Sequence, residues 1–150
     1  MEYTIDYYET QKELISFVKI VNRQPYINYP IYRVELTDLR KDDILSVSTE
    51  FETTQANNYV VQIGSYVILS DDYNCSIGII IAKHNGFNIN HEIHHGVSVH
   101  FRQFLIKEDL EGVHYLCTML YPASMAAKSN DYLKIEKDGG HLDAVLYRKQ

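Results

Sequence analysis

Four segments of this chain alternate side-chain character with a period of two, and that period admits extended strands while disfavouring long helices. In ILSVSTEFETT (44–54), Leu45, Val47, Thr49 and Phe51 fall on one face, with Ser46, Ser48, Glu50 and Glu52 on the other. NYVVQIGSYVILS (58–70) places Tyr59, Val61, Ile63, Ser65, Val67 and Leu69 together. GVSVHFRQFLI (96–106) aligns Val97, Val99, Phe101, Gln103 and Leu105. GVHYLCTMLY (112–121) aligns Val113, Tyr115, Cys117, Met119 and Tyr121. These runs are rich in β-branched and aromatic residues, as strands with one buried face require.

Further strands are expected in PIYRVEL (30–36), SIGIIIAKH (76–84), DYLKIEK (131–137) and HLDAVLYR (141–148). Turn-forming clusters separate them: RKDD, QANN, SDDYN, KHNG, KEDLEG, KSND and KDGG. QKELISFVKIVNR (11–23) fits helical spacing through Leu14, Phe17, Val18 and Val21 and strand spacing through Ile15 and Phe17. The surrounding β pattern favours strand there, and Pro25 and Pro30 end the segment. Short strands with turns between them predict an all-β sandwich or barrel rather than βαβ units. At 150 residues one domain over 1–150 is expected, with 1–30 as an N-terminal arm or peripheral element.

The net charge of −6, with Lys and Arg scattered, argues against nucleic-acid binding, which draws affinity from clustered cations. The start, MEYTIDYYETQKEL, lacks the basic and apolar regions of a signal peptide. No apolar stretch approaches the roughly 20 residues that span a bilayer. Synthesis in the cytoplasm without membrane insertion is therefore expected. The two cysteines, Cys75 and Cys117, could form a disulfide, but reduced, packed thiols are the favoured reading in that setting.

The segment NHEIHHGVSVH contains His91-Glu92-Ile93-His94-His95, which satisfies H-E-x-x-H. On a helix that motif holds zinc through two histidines and uses the glutamate as general base. Here the local sequence opposes a helix. Asn85, Gly86, Asn88 and Asn90 precede it, Gly96 follows it, and a strand pattern comes next. A single isolated turn is unstable. The longer H-E-x-x-H-x-x-G-x-x-H form would need Gly at 98 and His at 101, where Ser98 and Phe101 stand. On a strand, His91 and His95 would lie about 13 Å apart, too far to chelate one ion. The His-x-His pair of a cupin strand is absent among His91, His94, His95 and His100. The motif reads as an accident of a strand–turn–strand junction, so no cofactor and no catalytic residue are assigned. DDYN (71–74) offers oxygens for a cation, but acidic turn residues ordinarily bond backbone amides. No nucleophile elbow, phosphate loop or C-x-x-C pair is present.

From residue 36 to 148 the order of these segments resembles phage-encoded and related bacterial β-sandwich proteins found among virion tail or fibre components. The resemblance runs through Asp42–Leu45 at an entry strand, then Gly86–Asn88 with His94, His95 and Gly96 as a G-x-N…HHG turn. It continues through the Tyr/Ala-rich Tyr121–Ala127, Asn130–Leu133, and Gly140–Leu142 at the closing strand. A weaker likeness links the chain to the trimeric jelly rolls of complement and tumour-necrosis-factor type. These resemblances imply an all-β antiparallel sandwich, jelly-roll-like, with about 8–10 strands, and a non-enzymatic structural or receptor-binding protein, a homo-oligomer with a trimer favoured, carried on a phage particle or bacterial surface.

Thirteen tyrosines and no tryptophan suit contact surfaces, because tyrosine joins a flat apolar body to a polar tip. Tyr26, Tyr29 and Tyr32, between Pro25 and the first clear strand, are the candidate contact residues. They could face a neighbouring subunit, a receptor or a cell-surface glycan, which leaves a carbohydrate-binding module as the alternative. A zinc hydrolase using His91, His95 and Glu92 is the second alternative. The four histidines between 91 and 100 could also make an interface sensitive near pH 6.

Overall fold

A computed structural model describes residues 3–8, 12–13, 17–18, 29–55, 61–89, 94–122, 133–135 and 140–149. All regular structure among them is β: β1 (Tyr3–Tyr8), β2 (Lys12–Glu13), β3 (Phe17–Val18), β4 (Tyr29–Leu39), β5 (Ile44–Gln55) and β6 (Val61–Ser70). After these come β7 (Ile79–Ile89), β8 (His94–Leu105), β9 (Leu110–Pro122), β10 (Leu133–Ile135) and β11 (His141–Lys149). No helix among the described residues is long and apolar enough to cross a membrane.

The strands form two antiparallel sheets. One runs β1-β11-β5, with β8 on the far side of β5 and the short β10 and β3 continuing beside β5; the other runs β2-β4-β9-β6-β7. Setting aside the short β2, β3 and β10 leaves eight long strands in the orders β1-β11-β5-β8 and β4-β9-β6-β7. Numbered along the chain, these are 1-8-3-6 and 2-7-4-5. Every connection but one crosses between sheets, and that one is the β6–β7 hairpin. This is the double Greek-key jelly roll. Residues 3–8, within the segment expected as an N-terminal arm or peripheral element, form an edge strand of the first sheet, paired with β11 from Tyr3↔Lys149 to Tyr8↔Ala144.

The inward faces meet as one core. Leu45, Val47 and Phe51 from β5 pack with Val34 and Leu36 from β4, Val67 and Leu69 from β6, Leu116 and Leu120 from β9, and Leu142, Ala144 and Leu146 from β11. Thr49 and Thr118 sit within it, both fully buried. Their hydroxyls lie 2.8 Å apart, and Thr49 Oγ1 donates to the His141 carbonyl at 2.8 Å. Thr49 has one hydroxyl proton, so Thr118 must donate to Thr49. The bridge links β5 in one sheet to β9 in the other and fixes how the sheets slide past each other.

One end of the sandwich gathers the β4–β5, β6–β7 and β8–β9 connections. In the β4–β5 turn Asp42 adopts φ of 73°, a left-handed conformation that aspartate tolerates better than most residues. Asp43 is buried, accepts from the Arg40 amide at 2.8 Å and receives the Arg148 guanidinium at 2.9 Å. Ile106 N donates to Asp43 O, and Asp42 N to Ile106 O, both at 2.8 Å. The predicted RKDD turn therefore joins β4, β5, the end of β11 and the exit from β8. The predicted KHNG turn does not form. β7 runs through it, and the extra residue is absorbed where Ile63↔Phe87 gives way to Ser65↔His84, as a bulge.

Thr49→Val would leave the Thr118 hydroxyl buried without its acceptor, whereas Thr118→Val leaves Thr49 still bonded to His141. Thr49→Val is expected to lower unfolding free energy by about 1–3 kcal/mol and Thr118→Val by less. Urea unfolding of both single variants and the double variant checks this order and the coupling between the sites.

Candidate functional site

The β6–β7 connection, residues 71–78, folds back as a strap over the outer face of the second sheet. That face is apolar where the strap lies. Tyr66 and Ile68 from β6 and Cys117 and Met119 from β9 form a second cluster with Cys75 of the strap, and Tyr115 packs against it. Cys75 and Cys117 are joined as a disulfide, with Cα atoms 6.5 Å apart. This corrects the expectation of free thiols. Forty-two positions separate the two residues, but the strap's return brings them together over the sheet. In the chain-entropy model, closing a loop of that length raises stability by about 4 kcal/mol through the unfolded state.

A second anchor is built from Arg33 on β4. Its partner across the strands is Cys117, so its side chain lies on the same outer face. The guanidinium sits 3.3 Å from the centroid of the Tyr73 ring and 5.9 Å from that of Tyr115. The two rings meet edge to face at 5.4 Å. Arg33 Nη2 donates to the Tyr73 carbonyl at 2.6 Å. With 6% of its surface exposed, Arg33 spends its charge on ring faces and a carbonyl, an arrangement that strengthens as water is excluded.

The strap is also tied to itself. Asp72 accepts from the Asn74 amide at 3.3 Å, from the Ser76 amide at 3.2 Å and from the Ser76 hydroxyl. Ser70 donates to the Ile77 carbonyl at 2.5 Å. These bonds occupy the Asp72 carboxylate that the sequence offered to a cation. Among the described residues no three of His, Cys, Asp and Glu gather to hold a metal ion. Cys75 holds φ of 53°, costly for a residue with a side chain. Gly78 has no alternative, because a Cβ there would strike the Leu69 carbonyl.

Beyond the strap the surface turns apolar. Ile77 is 74%, Ile79 51% and Ile80 53% exposed, with Tyr73 and Leu105 about half exposed. Ile79 and Leu105 also line a groove of ≈ 260 Å³ with Leu69, Phe104, Ile106 and Leu110. Lys107 and Glu108 bring opposite charges to the same groove. Beside it, Asp38, Arg40, Asp109 and Glu111 line a polar hollow. β7 is the last strand of its sheet. Between Val67↔Ala82 and Ile68↔Ile80 its pairing skips Ile81, a bulge that bends the edge and hinders pairing with another backbone. What this surface offers a partner is therefore side chains.

Those residues nominated from sequence that the structure describes lie elsewhere. Tyr32 is 1% exposed and packs in the core, so its ring cannot face a partner or stack on a sugar. Tyr29 begins β4 opposite Leu120, and Tyr26 lies outside the described residues. His91 and Glu92 also lie outside them. His94 and His95 open β8, paired with Thr54 and Thr53, so these two positions of the H-E-x-x-H match are strand rather than helix. The isoleucines at 77, 79 and 80 went unnominated because a run of three or four apolar residues reads equally as buried strand; only their place at a sheet edge marks them.

Neither a family model nor a curated protein sequence matches this chain. Similar solved structures exist. A chain in the structure of infectious bursal disease virus, Gx strain, superposes with a TM-score of 0.62 at 7% identity, covering 97% of this chain and 38% of its own length. One from the T13 particle of the same virus, described as a missing link in the evolution of icosahedral viruses, gives 0.54 at 8% identity, covering 99% and 36%. The Gt strain gives 0.50 at 9%, covering 99% and 38%. This chain thus spans little more than a third of those proteins, and what it shares with them is the jelly-roll-like fold.

Hydrogen bonds to Ser76, first from its hydroxyl and then its amide, hold the Asp72 carboxyl below its usual 3.8. A depressed folded-state value stabilises the strap above the unfolded value and loses that contribution as pH falls through the folded one. The Ser76 amide resonance is therefore expected to stay constant from pH 8 to 5 and move only below 3.8. Asp72→Asn should remove that step.

Proposed function

We propose that this protein is a non-enzymatic structural subunit of a virus or phage particle that associates with copies of itself through the strap end of the sandwich. The carrying observation is the exposure of Ile77, Ile79 and Ile80 beside an open apolar groove. Large apolar side chains exposed together at one sheet edge, with Ile79 also lining a groove, suit a contact surface. The likeness to chains from infectious bursal disease virus particles supports the choice of partner, since such particles repeat their subunits.

Charge supports a second copy as the occupant. Two copies each carry −6 and repel unless they meet at a locally neutral patch. Ile79-Ile80-Ile81-Ala82 contains no charge, and Lys107 and Glu108 flank the groove with opposite signs, so a copy turned about a two-fold or three-fold axis could match one with the other. The bulged β7 edge favours a closed contact through side chains over open-ended strand addition. A trimer is the favoured closed form, as the likeness to complement-type jelly rolls implies, and the assembled protein would be particle-associated. Phage tail or fibre placement, and attachment to a cell-surface receptor or glycan, are narrower roles within the same reading.

Light scattering coupled to size exclusion tests it. The protein is expected to run as an oligomer at micromolar concentration, and Ile77→Asp/Ile80→Asp to run as a folded monomer. A strictly monomeric parent, or a double variant that associates as well as the parent, would contradict the proposal.

A further inference from the structure

We infer that Cys75 and Cys117 are an oxidation-set lock: disulfide formation closes the 71–78 strap and gives the neighbouring apolar corner the shape in which copies associate. The inference rests on the self-association reading above and adds its control.

Three observations carry it. The strap ends at Gly78, so whatever holds Cys75 also fixes Ile77 and Ile79, the residues that flank the turn into β7. The sulfur link to β9 is the strap's one covalent anchor among the described residues; the Arg33–Tyr73 stacking and the Asp72 hydrogen bonds are non-covalent. Cys75 also keeps a left-handed backbone, where glycine or asparagine would be the usual choice. A reduced chain would relieve that conformation by opening the strap.

Both cysteines are almost fully buried once the strap is closed, so oxidation must precede closure. With a small disulfide as oxidant, the thiolate of one cysteine attacks a sulfur of that disulfide and expels one thiol. The thiolate of the second cysteine then attacks the mixed disulfide and expels the other. One external disulfide is reduced to two thiols as one protein disulfide forms, and two protons leave the protein. Burial afterwards shields the bond from exchange, so the lock is set once and is not toggled. A chain made among reduced thiols would thus be held from full association until it meets an oxidant.

The test compares full-length protein refolded with dithiothreitol and without oxygen against the same protein treated with oxidised glutathione. Chymotrypsin cleavage after Tyr73, read by mass spectrometry, reports the strap; light scattering over a concentration series reports association. The oxidised form is expected to be cut at Tyr73 at least tenfold more slowly and to associate at least tenfold more tightly. Cys75→Ser/Cys117→Ser should behave as the reduced protein whatever the glutathione state, and should that variant fail to fold, the two redox forms of the parent still decide. Equal cleavage in the two forms overturns the lock, as does association that is equally tight in the reduced and oxidised forms. An oxidised protein that never associates removes the assembly reading, while the cleavage readout still judges the lock on the strap.

Discussion

Strand β5 is paired along both edges, with β8 on one side and with β11 and β10 on the other, and this double pairing constrains everything around it. A strand hydrogen-bonded on both edges cannot slip by one residue without turning its whole apolar face outward. Leu45, Val47, Thr49 and Phe51 therefore define which way the first sheet faces. Thr49 carries that decision to the second sheet through Thr118. From there the Arg33 and Cys117 positions on β4 and β9 are forced to the outer face, where the strap meets them. The apolar corner follows from a core register set about thirty residues earlier in the chain.

Much of this architecture is legible in the amino-acid sequence, because the signal for a half-buried strand is local. The period-two face of β5 is read without error, as are Val67 and Leu69 of β6. Failures come where a face is covered by something distant. On β9 the sequence points to Tyr115, Cys117 and Met119 as the core face, yet Leu116 and Leu120 fill the inter-sheet core. Every residue from Leu116 to Leu120 is buried, so the polar–apolar contrast that identifies a face vanishes. The covering element is the strap, whose Cys75–Cys117 disulfide is not predicted by spacing alone. On β8 the alternation is broken by a shift at Arg102: Phe101 pairs with Val47, but Phe104 pairs with Leu45. Leu105, expected inward, is consequently exposed beside the groove. KHNG fails as a turn for a related reason, since a bulge can absorb glycine and asparagine without reversing the chain.

The candidate surface combines features that are individually ordinary. Scattered exposed isoleucines need no explanation, and an edge strand is a liability that most proteins blunt. Here β2, at an edge of the same sheet, is two residues long and reads Lys-Glu. β7 instead keeps three consecutive isoleucines and defends itself by bulging. The backbone is protected while the side chains stay available. Of the histidine-rich segment that first suggested chemistry, His94, His95 and His100 lie on β8.

Hydrogen exchange read by mass spectrometry at two protein concentrations tests the central claim most directly, because it locates a contact without altering the chain. Raising the concentration from the nanomolar to the micromolar range should protect the peptides covering 71–82 and 104–108 while leaving 44–51 unchanged. Protection that appears elsewhere and leaves 71–82 exchanging at its dilute rate would contradict the account.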